Sequence, residues 1–190
     1  VNTQFALFTP ESPPALVPGL ALAGPLVTDA EAERICRWID DSGLTPFRFQ
    51  QWTGRRLTSS YGWHYDFAGG GVVRAEPMPD WLLALRRRVV QGMGDEPDAY
   101  EQALLIRYDP GAGIGWHRDR PQFGRVIGLS LGAPATMRLR QRREGGFARA
   151  VFPLTPGHAY ILDGEARRDW EHSIVPLGQA RWSATFRTLA

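Results

Sequence analysis

The chain has 190 residues, 43% of them hydrophobic, with 22 basic and 20 acidic side chains and a formal net charge of +2. It is long and apolar enough for one domain with a sizeable core, which excludes a disordered polyelectrolyte, and no stretch approaches the ~20 consecutive apolar residues of a membrane helix, so no membrane partner is expected. A single cysteine, Cys36, excludes an intrachain disulfide and a cysteine-based zinc site, and it favours a reducing, cytoplasmic setting.

Residues 1–27 carry Pro10, Pro13, Pro14, Pro18 and Pro25 without the basic start and continuous apolar run of a signal peptide, so they are expected to form an extended arm. Thr28-Asp-Ala-Glu31 has the pattern of a capping box, in which Thr28 caps the helix and Glu31 reaches back. Ile35, Trp38 and Ile39 follow at helical spacing, which predicts a helix over 29–41 that stops at Gly43. Residues 46–68 are aromatic, basic and rich in turn formers. A second helix is predicted from about Pro79 to Met93, with Leu82, Leu85, Val89 and Met93 on one face; the run Arg86-Arg87-Arg88 reads as a solvated face, with a phosphate site as the alternative.

From residue 103 the texture changes to short apolar runs: 103–108, 126–131, 135–140, 149–152, 158–162, 171–175 and 180–187. Turn signals such as Asp109-Pro-Gly111, Gly145-Gly146 and Pro156-Gly157 separate them. Many short strands at roughly even spacing predict an antiparallel sandwich or barrel. Helices first and strands afterwards make the fold class α+β.

Chemistry enters at Gly115-Trp-His-Arg-Asp119, where His117 and Asp119 stand two residues apart. In a strand, positions i and i+2 share a face, so an imidazole and a carboxylate could grip one cation there. A third ligand must come from His64, His158 or His172, the last at the start of a late strand. Two histidines and one carboxylate make a facial triad with open positions, which suits Fe(II) in oxygenases better than a closed tetrahedral zinc site. Downstream, Arg181 and Arg187 fall on a predicted strand. A buried arginine needs an anion, which could be a dicarboxylate cosubstrate bound bidentately or a protein carboxylate such as Asp163 or Glu165. All the basic side chains are arginine, which genomic base composition accounts for, so it is not evidence of phosphate binding.

These segments together resemble the AlkB family of 2-oxoglutarate dioxygenases. The resemblance runs over about 102–189 and is carried by Leu105-Ile-Arg-Tyr-Asp-Pro-Gly111, His117-Arg-Asp119, Ile127-Gly-Leu-Ser-Leu131, Gly164-Glu-Ala-Arg167, His172-Ser-Ile174 and Arg181 through Arg187. It implies a double-stranded β-helix, or jelly roll, with supporting N-terminal helices and a nucleotide-recognition lid. The expected layout is one dioxygenase domain, with an arm over 1–27, helices and lid over 28–102 and the catalytic core over 103–190. By resemblance His117, Asp119 and His172 hold Fe(II). Arg181 pairs with the distal carboxylate of 2-oxoglutarate, Tyr108 hydrogen-bonds it, and Arg187 and Ser183 complete its site, with dioxygen as the other reactant. The sequence departs from the best-known bacterial member at Ile106 and Ser183, where that protein has asparagine.

The resemblance also implies oxidative demethylation of N-alkylated bases in DNA or RNA, on a single strand or a flipped-out base. The segment from Arg55 to Phe67 resembles the family's lid, with Arg55, Arg56, Tyr61, Trp63 and Tyr65 as candidate substrate contacts; packing of the aromatics onto the core is the alternative. Arg138, Arg140, Arg142, Arg143 and Arg149 form a second cluster, either a phosphate track or a solvated hairpin. Where several members carry an acidic residue that reads an exocyclic amine, this chain has Pro121, so base preference does not carry over. The protein is expected to be a monomer. The same chemistry on a protein or small molecule, and a non-catalytic jelly-roll binding module, stand as alternatives.

Overall fold

The computed structural model describes residues 17–49, 52–66 and 69–190. Most of the expected arm, 1–16, lies outside the described residues. The rest of it enters the fold as a strand, β1 (Leu20–Ala23). Helix α1 (Asp29–Asp40) starts as its sequence dictates: Thr28 Oγ1 accepts from the Glu31 N–H, and the Glu31 carboxylate accepts from the Thr28 N–H. Helix α2 (Asp80–Gly92) buries Leu82, Leu85, Val89 and Val90.

Two antiparallel sheets follow. The larger has the order β1-β11-β8-β13-β6-β3-β2, and the smaller β10-β9-β12-β7. The large sheet comprises β2 (Thr45–Phe49), β3 (Trp52–Tyr61), β6 (Gln102–Tyr108), β8 (Phe123–Gly132), β11 (Ala159–Leu162) and β13 (Arg181–Leu189) beside β1. The small sheet comprises β7 (Ile114–His117), β9 (Ala135–Arg143), β10 (Gly146–Leu154) and β12 (Glu171–Ile174). A separate ribbon pairs β4 (Trp63–Asp66) with β5 (Gly71–Arg74), and a short helix, α3 (Gly164–Arg168), links β11 to β12. Two facing antiparallel sheets of this kind form the expected jelly roll.

The large sheet is covered on both faces. On one side Ile35, Ile39, Leu82, Leu85, Val89 and Val90 of the helices pack on Ala103, Leu105, Ile127, Leu129, Ala184 and Phe186. On the other, between the sheets, Met137, Leu139, Phe152 and Leu154 meet Val126, Tyr160, Leu162 and Trp170. Burying each large apolar side chain contributes about 1.5–3 kcal/mol, so the sheet is anchored from both sides. The inter-sheet core does not fill the whole sandwich. Toward β6, β13 and β7 it gives way to polar side chains.

Candidate active site

The strands have a period of two, and that period sorts the site from the core. On β13, Arg181, Ser183, Thr185 and Arg187 face a cleft between the sheets, whereas Ala184 and Phe186 join the helix-side core. On β6, which pairs with β13 in register (Arg181 with Tyr108, Ser183 with Ile106), Gln102, Leu104, Ile106 and Tyr108 face the same cleft. The cleft encloses about 1170 Å³, above the range of ~300–1,000 Å³ common for small-molecule sites. Its lining grades from Arg181, 1% exposed, to the exposed His64 and Arg118 at the rim.

His117 and His172 are directly paired across β7 and β12, with ring centroids 4.2 Å apart. Asp119 Oδ1 lies 3.7 Å from His117 Nε2 and 3.9 Å from His172 Nε2. One ligand atom from each of these three residues falls within 4.8 Å of the others, and among the described residues this is the cluster able to hold a metal ion. His117 Nδ1 lies 2.9 Å from the Gly115 carbonyl oxygen. Donation there places the proton on Nδ1 and leaves Nε2 bare for a cation. Burial, and then the neighbouring His117, push the His172 imidazole down to about 3; burial likewise lowers His117. Both rings are therefore neutral, as ligation requires. Burial works to raise the Asp119 carboxyl, but the fixed charges of Arg187 and, more weakly, Arg167 outweigh it and hold the group ionised beside the neutral imidazoles.

Asp119 is positioned differently from the sequence expectation. Strand β7 ends at His117, so the carboxylate does not sit on the ladder. Two arginines replace the ladder. Arg187 Nε donates to Asp119 Oδ2 at 3.0 Å, which leaves Oδ1 turned to the imidazoles, and Arg187 Nη1 donates to Gln102 Oε1 at 2.9 Å. Arg187, expected beside the cosubstrate, is thus committed to the metal-side carboxylate. Arg167, 8% exposed, donates to the carbonyls of Gly124, Asp119, Arg120 and Phe123 and so cages the loop that carries Asp119. It follows Asp163, whose side chain caps α3. In the sequence Arg167 stands out only as the end of the family-like segment Gly164-Glu-Ala-Arg167. Nothing about its spacing announces that it binds backbone across more than forty residues.

Arg181 answers the question of the buried cation. Its Nη2 donates to Ser130 Oγ at 3.2 Å, and its guanidinium lies 5.1 Å from the Tyr108 ring centre. Nε and Nη1 are buried and have no protein acceptor. The two protein carboxylates considered for it are engaged elsewhere: Asp163 accepts from Gly164 N–H and Glu165 from Trp170 Nε1. A buried guanidinium with unmet donors fits an anionic ligand. With Tyr108 and Ser183 on the same wall, the residues present suit the distal carboxylate of 2-oxoglutarate, and the triad suits Fe(II).

The structure also sorts the candidate substrate residues. On β3, Arg56, Thr58, Ser59 and Ser60 line the cleft. Tyr61 does not; it packs on the helix-side core and donates its hydroxyl to the Ser42 carbonyl at 3.2 Å. Arg55 is exposed and away from the lining. Trp63 lies under Arg74, 4.3 Å from guanidinium carbon to ring centre, and its Nε1 donates to Glu101 at 3.4 Å. Tyr65 does reach the cleft rim, where the Arg120 guanidinium covers its ring at 4.7 Å. His64, Trp116 and Arg120 share that rim. The structure thus brings Arg56 and Tyr65 to the cleft and leaves Arg55, Tyr61 and Trp63 outside it.

Comparison with known proteins agrees with this centre. The family model of the 2OG-Fe(II) oxygenase superfamily matches residues 45–187. Human alpha-ketoglutarate-dependent dioxygenase alkB homolog 3 is 28% identical over 180 residues, covering 83% of this chain and 60% of that protein. AlkB of Salmonella typhimurium is 30% identical over 106 residues, covering 50% of this chain and 47% of that protein. The chain therefore spans about half to three fifths of these relatives. Among solved structures, OsALKBH1 superposes with a TM-score of 0.64 at 16% identity, covering 91% of this chain and 98% of that one. A Pseudomonas putida prolyl-4-hydroxylase gives 0.57 at 19% identity, covering 90% and 93%. At such identities the superpositions show the shared fold alone. The chain belongs to the 2OG-Fe(II) oxygenase superfamily and is AlkB-like within it.

Proposed function

We propose that this protein is an Fe(II)- and 2-oxoglutarate-dependent dioxygenase that removes alkyl groups from the nitrogens of bases in DNA or RNA. The observation that carries it is the joint geometry of one cleft. The His117, Asp119 and His172 ligand atoms converge on one side, and the unmet donors of Arg181 stand buried on the other. Bound iron would activate dioxygen, with 2-oxoglutarate oxidised to succinate and carbon dioxide. One oxygen atom enters succinate and the other converts N–CH₃ to N–CH₂OH. The hydroxymethyl group then leaves as formaldehyde and restores the N–H. The protein's own part is to bind and shield. Arg181 orients the cosubstrate, Arg187 holds Asp119 ionised, and the buried inner lining keeps bulk water from the reacting carbon.

A nucleobase is favoured as substrate by the rim, where Tyr65, His64 and Trp116 offer ring faces beside Arg118 and Arg120. Stacking and cationic contacts are what an extruded base and its phosphates require. The AlkB-named relatives support the same choice. The test is formaldehyde release with Fe(II), ascorbate and 2-oxoglutarate over a panel of N-methylated single-stranded DNA and RNA oligonucleotides. Release that depends on the oligonucleotide and disappears in Asp119→Ala is expected. Cosubstrate decay that no oligonucleotide stimulates, and that yields no formaldehyde, would turn the search to a protein or small-molecule substrate.

A further inference from the structure

The outer face of the small sheet carries a row of arginine and aromatic side chains. Strand β9 alternates, with Met137 and Leu139 buried and Arg138, Arg140 and Arg142 outward. Strand β10 pairs with it in register, placing Phe147 opposite Arg142 and Arg149 opposite Arg140. Gly145, at a φ of 78°, closes the two-residue turn between the strands, a conformation that favours glycine. On this face arginine and aromatic side chains interleave. The Arg140 guanidinium lies 4.4 Å from the Trp116 ring centre and 4.8 Å from that of Phe147. Arg138 lies 5.0 Å from Trp116, and Arg142 and Arg149 lie 5.7 and 5.8 Å from Phe147.

Charge is left over. Arg140 is paired with Glu171 at 2.6 Å, and Arg138 donates to Ser173 Oγ. Arg142 and Arg149, both exposed, have no ion pair among the described residues, and Phe147 is 37% exposed. Cation–π contacts at exposed sites contribute about 0.5–1 kcal/mol each, so they hold the rings and guanidinium groups in one layer but leave the charge of Arg142 and Arg149 unmatched by any carboxylate among the described residues. The row is also continuous with the active site: Trp116 adjoins His117 in sequence, lines the cleft rim and receives both Arg138 and Arg140.

We infer that this face is a binding platform for the single-stranded nucleic acid flanking the base in the cleft. Nucleotides next to the extruded base pass over Trp116 and along β9 and β10 to Phe147. Arg142 and Arg149 neutralise their phosphates, and the aromatic rings take their bases. The platform rests on the nucleic-acid reading of the cleft, but it is a separate surface with a separate test. It uses no residue assigned to iron, cosubstrate or the reacting base except the rim residue Trp116.

The experiment is fluorescence anisotropy with a labelled single-stranded oligothymidylate, titrated over a series of salt concentrations, for the intact chain, Arg142→Ala/Arg149→Ala and Phe147→Ala. Losing two phosphate contacts should weaken binding about tenfold at low salt and flatten the log–log salt slope by about 1.4, at roughly 0.7 per phosphate on a single strand. Phe147→Ala should weaken binding about fivefold or more with the slope unchanged, as the loss of one stacked base predicts. Cosubstrate decay without oligonucleotide should be unchanged in all three proteins. Normal affinity and slope in the double variant, beside clear binding by the unaltered chain, would overturn the platform and leave the cleft assignment standing. An effect of the arginines with none of Phe147→Ala would reduce the face to a plain polyanion patch and overturn the stacking. An unaltered chain that turns over 2-oxoglutarate yet binds no oligonucleotide would overturn both the platform and the nucleic-acid reading.

Discussion

The two faces of the large sheet have opposite chemistry although the same strands build them. Toward the helices, Leu105, Leu129, Ala184 and Phe186 pack in an apolar layer. Toward the small sheet, Tyr108, Arg181, Ser183 and Arg187 bring hydroxyls and two buried cations to neighbouring positions. The contrast shows what each layer supplies. The helix side supplies cohesion, so the cleft side can carry charges that oppose folding unless a ligand or partner meets them.

Substitutions on the two faces should therefore separate stability from activity. The largest effect on activity is expected from Asp119→Ala, which removes the one anionic ligand: iron-dependent cosubstrate turnover should fall to background, while the circular dichroism spectrum stays that of the folded chain. Next comes Arg181→Met. Removing one partner of a desolvated charge pair costs about 2–5 kcal/mol, so the 2-oxoglutarate requirement should rise by about thirtyfold or more. Thermal stability should hold or increase, because a buried charge with unmet donors is lost. An unchanged requirement in a steady-state titration would refute its role.

On the other face of the same strand, Phe186→Ala should do the reverse. It should cost about 3–5 kcal/mol of stability, read by urea unfolding, with the 2-oxoglutarate requirement unchanged in the fraction that remains folded. Arg167→Met lies between the two extremes. It strands carbonyls in the Asp119 loop at about 1–3 kcal/mol for each left unmet, and it should also weaken Fe(II) binding by about tenfold or more, the scale for groups that orient metal ligands. A melting shift with normal iron affinity would mean that the cage is structural only. The smallest effect is expected from Tyr61→Phe, which removes one hydrogen bond to Ser42 and should cost about 1 kcal/mol without altering the response to oligonucleotide.

The sequence disclosed these layers unequally. The capping box at Thr28 and Glu31 located α1, and the seven apolar runs coincide with strands, because capping and hydrophobic patterning act locally. The metal-ligand candidates were legible in two steps: the spacing of His117 and Asp119 marked a pair, and the family resemblance chose His172 over His64 and His158 as the third. Three features were hidden. β3 reads Arg-Arg-Leu-Thr-Ser-Ser-Tyr from Arg55, with polar groups on both parities, so no alternation told that Arg56 faces the cleft and Tyr61 the core. Strand β8 is buried on both faces, which erases the period that would have marked its Ser130 as the partner of Arg181. The off-strand position of Asp119 depends on Arg167 and Arg187, and such long-range contacts have no local signature.

The central claim is that one cleft binds a metal and a dicarboxylate together. Its most direct test is anaerobic equilibrium dialysis of 2-oxoglutarate, with and without Fe(II), for the intact chain, Asp119→Ala and Arg181→Met. The account predicts that Fe(II) tightens cosubstrate binding in the intact chain, that this coupling disappears in Asp119→Ala, and that Arg181→Met binds weakly with or without metal. Binding of 2-oxoglutarate that ignores Fe(II) and survives Arg181→Met unchanged would contradict it.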